Sequence, residues 1–139
     1  MKSFFLFLFL LHSALFPFNS LDSLVFDFSS DLKKEIPEDG WVKFTYNVVN
    51  YGDKLLQVQF SVRCLESGLA LPFYPQTDYF TLKPGEEQSV TVFMNSQCGL
   101  FDNLDSGQHQ RTLRFDFFDM NTKDELTFEQ RYVLERKIR

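Results

Sequence analysis

Cysteine and histidine are the side chains of this sequence that could bind a metal ion or carry redox chemistry, and the chain has few of either. Cys64 and Cys98 are its only cysteines, and His12 and His109 are its only histidines. Because His12 lies in an apolar N-terminal segment, a metal or redox site would have to combine His109 with both cysteines. This set has no recognised zinc-binding spacing, so we predict no metal and no cofactor.

Catalytic chemistry finds little support in the sequence. A Ser-His-Asp arrangement would need His109, in the predicted loop 96–110, next to Asp102 or Asp105, and no nucleophile-elbow motif accompanies these residues. The same loop resembles a calcium-binding loop only loosely, because Leu104 stands where a ligand is required. We therefore predict a protein that is not an enzyme.

The start of the chain has the composition of an export signal. Lys2 precedes eight consecutive Phe and Leu residues at 4–11, as in the charged and apolar regions of a signal peptide. We predict that residues 1–23 are a signal peptide. Cleavage after Ser20 or Ser23 would place a large apolar residue at the −3 position. The alternatives are an uncleaved N-terminal anchor and a buried N-terminal strand or helix.

The net charge of −5 argues against sequence-independent binding of nucleic acid, which needs a basic surface. We expect contact with a membrane only through the N-terminal segment. The predicted location is the secretory pathway or the periplasm, with the domain lumenal or extracellular.

From residue 24 onward, apolar residues alternate with polar ones, which is the pattern of strands with one buried face. Seven segments show it: 24–28, 42–48, 56–64, 79–82, 90–94, 113–118 and 126–134. Turn residues separate several of them, including Asn50–Asp53 and Pro84–Glu86. The pattern predicts one domain over 24–139, an all-β, immunoglobulin-like antiparallel sandwich of two sheets and about seven strands.

Two motifs resemble those of known immunoglobulin-like modules. They are Asn50-Tyr51-Gly52 after a strand, and the run from Phe80 to Glu86 before Val90-Thr91-Val92. Through these two motifs the sequence resembles bacterial cell-adhesion-related domains and the lumenal domains of the translocon-associated protein alpha and beta subunits. The resemblance implies the sandwich fold, and because one fold serves many functions it implies no particular activity.

The two cysteines are predicted to form a disulfide, with two free buried thiols as the alternative. A pair of cysteines in an exported chain suggests one bridge. In an immunoglobulin-like sandwich, the strand that ends at Cys64 and the strand that precedes Cys98 run in the same direction. Both cysteines therefore reach the same end of the sandwich. They also share inward parity with Val62 and Met94, which places them between the sheets.

Large apolar residues outside the predicted core point to a partner. The loop 65–78 carries an apolar run bracketed by prolines, which either folds over the open end of the sandwich or presents a patch to another protein. Further large side chains have outward parity on their strands. The candidate partner-binding residues are Leu71, Phe73 and Tyr74 in the loop and Trp41, Phe93 and Phe118 on the strands.

These features predict a non-catalytic, exported protein-binding module that is an accessory or structural subunit of a larger assembly. The alternative is a carrier that holds a small apolar ligand between its Phe-rich sheets, since 18 of the 139 residues are Phe.

Overall fold

The computed structural model describes residues 19–27, 32–38, 40–95 and 107–136. Residues 1–18 of the predicted signal segment and Cys98 lie outside these ranges, so cleavage of the signal segment and the disulfide stay predictions. None of the helical structure within these ranges is long and apolar enough to span a membrane.

The described residues form one short 3₁₀ turn and nine strands. The turn, Ser20–Ser23, precedes β1 (Leu24–Asp27), β2 (Lys33–Glu35), β3 (Val42–Asn50), β4 (Leu56–Cys64), β5 (Phe73–Tyr74), β6 (Phe80–Leu82), β7 (Glu87–Met94), β8 (Gly107–Asp119) and β9 (Glu125–Arg136). One sheet has four strands in the order β1-β3-β7-β5, and the other has five in the order β2-β9-β8-β4-β6. This architecture confirms the predicted all-β, immunoglobulin-like sandwich.

The structure differs from the predicted strands at three places. β2 pairs in parallel with the end of β9, and its sequence, Lys33-Lys34-Glu35, has no apolar residue that could reveal a strand. β5 is only two residues long and lies beside β7, within the predicted loop 65–78. β8 begins at Gly107, so His109 lies in a strand rather than in the predicted loop 96–110.

Aromatic side chains fill the space between the sheets. Along β3 and β8, every second side chain points inward and is buried, because successive side chains of a strand point to opposite faces. Phe26 of β1 joins them, with its ring centroid 4.9 Å from that of Tyr46 and 4.8 Å from that of Phe115. Burial of each such side chain contributes roughly 1.5–3 kcal/mol relative to exposure, so these rings stabilise the fold together with the aliphatic core residues.

A pair of tyrosine hydroxyls connects the two sheets inside this core. Tyr46 on β3 and Tyr132 on β9 are both buried, and their hydroxyl groups form a hydrogen bond with each other. Burial raises the pKa of Tyr132 to about 12, and it raises the pKa of Tyr46 further. Both groups are therefore neutral at physiological pH, and each satisfies the polar atom of the other.

Asn50 joins two turns at one end of the sandwich. It is 0% exposed, and its amide nitrogen donates to Lys54 O at 2.8 Å and to Leu82 O at 3.0 Å. Its side-chain oxygen accepts from Gly52 N at 2.9 Å, and its backbone oxygen accepts from Gly85 N at 2.7 Å. One buried side chain therefore fixes the β3–β4 turn against the end of β6. The sequence pattern had predicted only a turn at this Asn50-Tyr51-Gly52 motif.

The sandwich has two ends, the N-terminal pole and the distal pole. The N-terminal pole contains residues 19–23 and the turns 51–55, 83–86 and 120–124. The distal pole is the opposite end, where β3 begins at Val42 and pairs with Met94 at the end of β7.

Candidate protein-binding surface

The segment between β4 and β6 crosses from one sheet to the other along the side of the sandwich. Leu71 N donates to Val62 O of β4 at 2.9 Å. One residue later the chain has changed sheet, because Phe93 N of β7 donates to Pro72 O at 3.0 Å. The apolar run of the predicted loop 65–78 therefore covers an open side of the sandwich, between the edges of the two sheets.

Alternation along this crossing segment sends its candidate residues in opposite directions. Leu71 is buried. Phe73 also points inward, where its ring meets that of Phe60 edge to face at a centroid distance of 4.9 Å. Tyr74 points the other way, onto the outer face of the four-stranded sheet, and it is 68% exposed. Of the three loop candidates, Tyr74 is thus the most exposed, whereas Phe73 is partly buried and Leu71 belongs to the core.

Trp41 and Phe93 lie on the same outer face, at the distal pole. Their rings meet edge to face with centroids 6.4 Å apart. Lys43 is the cross-strand neighbour of Phe93, and its Nζ lies 5.9 Å from the centroid of the Phe93 ring. Together with Pro72, these side chains line a shallow groove of about 360 Å³.

We call this region the aromatic surface and define it as Trp41, Lys43, Pro72, Tyr74 and Phe93. Tyr74 belongs to it because its neighbour on β7 is Thr91, two residues from Phe93 on the same face. Three of its five residues are aromatic, and Trp, Tyr and Phe are enriched in protein interfaces.

Phe118 lies on the opposite face of the molecule. Its outward position on β8 places it on the five-stranded sheet, where the Nζ of Lys123 lies 5.6 Å from the ring centroid. It borders a cleft of about 500 Å³ whose other lining residues are mostly polar, among them Gln59, Ser61 and Asp116. Phe73 also lines this cleft, but Phe118 lies on the other sheet from Trp41, Tyr74 and Phe93 and does not join them in one surface.

Cys64 lies at the end of β4, fully buried, with its Sγ 3.7 Å from Glu66 Oε1. The same carboxylate oxygen accepts from Thr112 N at 2.7 Å. Burial acts to raise the pKa of Glu66, but the hydrogen bonds that it accepts, led by the one from Thr112 N, outweigh this and hold the pKa below its usual value. Within the described part of the chain, no three His, Cys, Asp or Glu side chains come together as a metal site.

A carrier function would need space between the sheets. Rings occupy that region at contact distance: Phe44 and Tyr132 have centroids 4.5 Å apart, and Phe60 and Phe117 have centroids 5.2 Å apart. The clefts around Phe118 and the aromatic surface open on the outside of the sandwich. The described core therefore gives no support to a ligand held between the sheets.

Comparison with solved structures finds similar immunoglobulin-like sandwiches. The structure is similar to a PapD-like domain of human CEP192, with a TM-score of 0.52 and 12% identity over 84% of this chain and 87% of that one. It is similar to a FixG-related protein from Vibrio parahaemolyticus, with a TM-score of 0.50 and 19% identity over 84% and 99% of the two chains.

A third similar structure is the E. coli chaperone DraB, with a TM-score of 0.54 and 12% identity over 81% of this chain and 54% of that one. This chain thus corresponds to about half of the chaperone. No model of a protein family matches the sequence, and no curated protein is significantly similar to it. At these identities the comparisons show the fold alone. The finer resemblance to translocon-associated or cell-adhesion-related domains stays a prediction.

Sequence reasoning missed two members of the aromatic surface, Lys43 and Pro72. Lys43 looks like an ordinary polar residue on an alternating strand, and only the register of β3 against β7 places it beside Phe93. Pro72 reads as a loop residue, and only the change of sheet after Leu71 brings it there. Both positions depend on pairing between distant segments, which a single sequence does not specify.

Proposed function

We propose that this protein is an exported, non-catalytic protein-binding module that acts as an accessory subunit of a larger assembly and holds its partner on the aromatic surface. The observation that carries the proposal is the convergence of Trp41, Phe93 and Tyr74 on one outer sheet face. Large aromatic side chains that lie partly open at one place are the residues that most often dominate binding energy in protein interfaces.

The surface also indicates the chemistry of the partner. The groove between Trp41, Pro72 and Phe93 suits one apolar side chain. Lys43 at its edge suits a carboxylate, which would gain an ion pair next to a desolvated ring. We therefore expect a partner segment that presents an apolar residue close to an Asp or Glu.

Similar solved structures support a protein ligand. The SafB chaperone, which resembles this chain with a TM-score of 0.50 and 13% identity, was solved in complex with the SafA pilin. The CsuC chaperone was solved in a pre-assembly complex with CsuE, again at a TM-score of 0.50. These complexes concern those proteins, and they are the basis for proposing an assembly role and an exported location here.

The test is a pair of matched variants on the two outer faces. We expect Phe93→Ala combined with Tyr74→Ser to weaken binding of the partner recovered from the native source by about tenfold or more, which corresponds to about 1.4 kcal/mol. Phe118→Ala on the other sheet is the control and should leave the affinity unchanged. The measurement is a titration by calorimetry, with circular dichroism to verify folding. Equal losses from both faces, or no loss from the aromatic surface, would rule the proposal out.

A further inference from the structure

The segment just after the apolar N-terminal run is built into the folded domain. Leu21, inside the 3₁₀ turn, is 0% exposed and belongs to the core. Asn19 caps the turn, because its side-chain oxygen accepts from Leu21 N at 2.8 Å, and its amide donates to Glu125 O at 2.9 Å. Ser23 O accepts from Tyr51 N at 2.9 Å. Residues 19–23 therefore pack against the domain, ahead of the predicted boundary at residue 24.

Ser20 donates hydrogen bonds to two carboxylates. Its hydroxyl donates to Asp119 Oδ2 at 2.6 Å, and its backbone N–H donates to Asp124 Oδ2 at 2.9 Å. Asp119 is a buried carboxylate, so loss of a donor would leave it with fewer of the hydrogen bonds that a buried charge requires. Residues on both sides of the two predicted cleavage points, after Ser20 and after Ser23, thus contribute contacts to the folded domain.

This geometry bears on every small residue at which a signal peptidase could cut. Cleavage after Ser23 would remove Leu21 from the core, and cleavage after Ser20 would remove Asn19 and the donor to Asp119. Both positions also have a large residue at −3. Ser13 and Ala14 lie inside the apolar run, without the polar stretch that should precede a cleavage site.

We propose that residues 1–18 are retained as an anchor in a lipid bilayer and that the N-terminal pole of the sandwich faces the membrane surface. Lys2 on the cytoplasmic side would leave the domain on the other side, following the preference for positive residues inside. No spacer separates the apolar residues from Asn19, so the pole must lie at the level of the lipid headgroups.

The N-terminal pole carries the side chains that such a contact needs. Tyr51 is 70% exposed and Leu55 is 47% exposed, and both belong to the turn that bonds to Ser23. Tyrosine is enriched at the membrane interface, and apolar groups there help a short anchor to match the bilayer. The pole carries Lys54, Lys83 and Lys123 against Asp22, Asp53, Glu86 and Asp124, a net charge of −1 that gives no attraction to anionic lipid. The contact is therefore apolar and does not require anionic lipid.

The first test follows the fate of the N-terminal segment in the full chain, expressed in a host with a secretory pathway. We expect the intact mass of the purified protein to include residues 1–18, and the protein to stay in the membrane pellet after alkaline carbonate. The variant Phe18→Ala creates an Ala-x-Ser site and should be cut after Ser20 and released. A wild-type chain that begins at Leu21 or Leu24, or that fractionates like the variant, overturns the proposal.

The second test measures which pole meets the lipid. Trp41 is the only tryptophan and lies at the distal pole, so the wild-type protein reports on that end. The variant Trp41→Phe, Tyr51→Trp moves the indole to the N-terminal pole. In vesicles of brominated phosphatidylcholine, fluorescence of the variant should be quenched and that of the wild type should not, at low and high salt alike. Quenching of the wild type alone, or equal quenching of both, contradicts the orientation. Binding through the aromatic surface is scored separately, by the titration of Phe93 and Tyr74 variants.

Discussion

Replacement of Asn50 by alanine tests whether one buried amide holds the N-terminal pole together. The substitution removes three side-chain hydrogen bonds, to Lys54 O, Leu82 O and Gly52 N. Each such bond contributes about 1 kcal/mol net, and a buried group left without its partner costs about 1–3 kcal/mol. Since the bond to Leu82 O is itself buried, we expect the free energy of unfolding to fall by about 3 kcal/mol.

Urea unfolding monitored by far-UV circular dichroism measures this loss. With a slope of about 2 kcal/mol per molar urea, the midpoint should fall by roughly 1.5 M while the slope stays the same. Asn47→Ala is the matched control, because Asn47 lies on the same strand but faces outward. A midpoint for Asn50→Ala equal to that of the control would refute the reasoning, because the amide would then contribute nothing beyond its side-chain volume.

Two further perturbations address the core and the junction. Tyr46→Phe should destabilise the protein by about 1–3 kcal/mol, because it leaves the Tyr132 hydroxyl buried without its partner. The double variant with Tyr132→Phe should lose less stability than the single variant, because two apolar groups then replace two polar ones. A double-mutant cycle measured by urea unfolding tests this, and additive losses of stability would contradict it. Burial acts to raise the pKa of Asp119, but hydrogen bonds, led by the one from Ser20, hold it below the usual value. A depressed folded-state pKa gives stability that is present above the unfolded-state pKa and lost as the pH falls through the folded-state value. Ser20→Ala should therefore lower stability at pH 7 and flatten the loss of stability below pH 4 or so, as thermal melts across pH will show; an unchanged pH profile would mean that Ser20 does not set this pKa.

The sequence predicted the fold where local patterning determines it. In β3, β4, β8 and β9, apolar and polar residues alternate, and successive side chains point to opposite faces of the sheet. The core positions could therefore be identified without a structure. The pattern did not predict a strand that contains no apolar residue. β2 is polar at all three positions, and it exists because Lys33 and its neighbours pair with the end of β9, where Lys33 Nζ lies 3.1 Å from Glu135 Oε2.

The candidate site was less predictable, because it depends on long-range pairing. Outward parity identified Trp41 and Phe93, and the register of β3 with β7 brings them together. The same reasoning grouped Phe73 with Tyr74, although adjacent residues of an extended segment point in opposite directions. It also counted Phe118 with residues on the other sheet. Parity assigns a residue to a face, and only the order of strands in the sheets decides which faces coincide.

The length of β3 sets the relation between the two proposed contacts. Its nine residues, Val42–Asn50, rise about 3.3 Å each, so Trp41 and Tyr51 lie at opposite ends of a strand roughly 26 Å long. If residues 1–18 hold the N-terminal pole at the bilayer, Trp41 and Phe93 lie near the far end of this strand, and Tyr74, level with Thr45, lies about 17 Å from its membrane end. A partner can then reach Phe93 and Tyr74 without displacing lipid. The two contacts should therefore be independent. Release of the domain by Phe18→Ala should leave the partner affinity unchanged, measured at a temperature where circular dichroism shows the domain folded, because cleavage also removes Asn19 and Ser20. A change in the affinity of the folded domain would mean that the partner also contacts the membrane-facing pole.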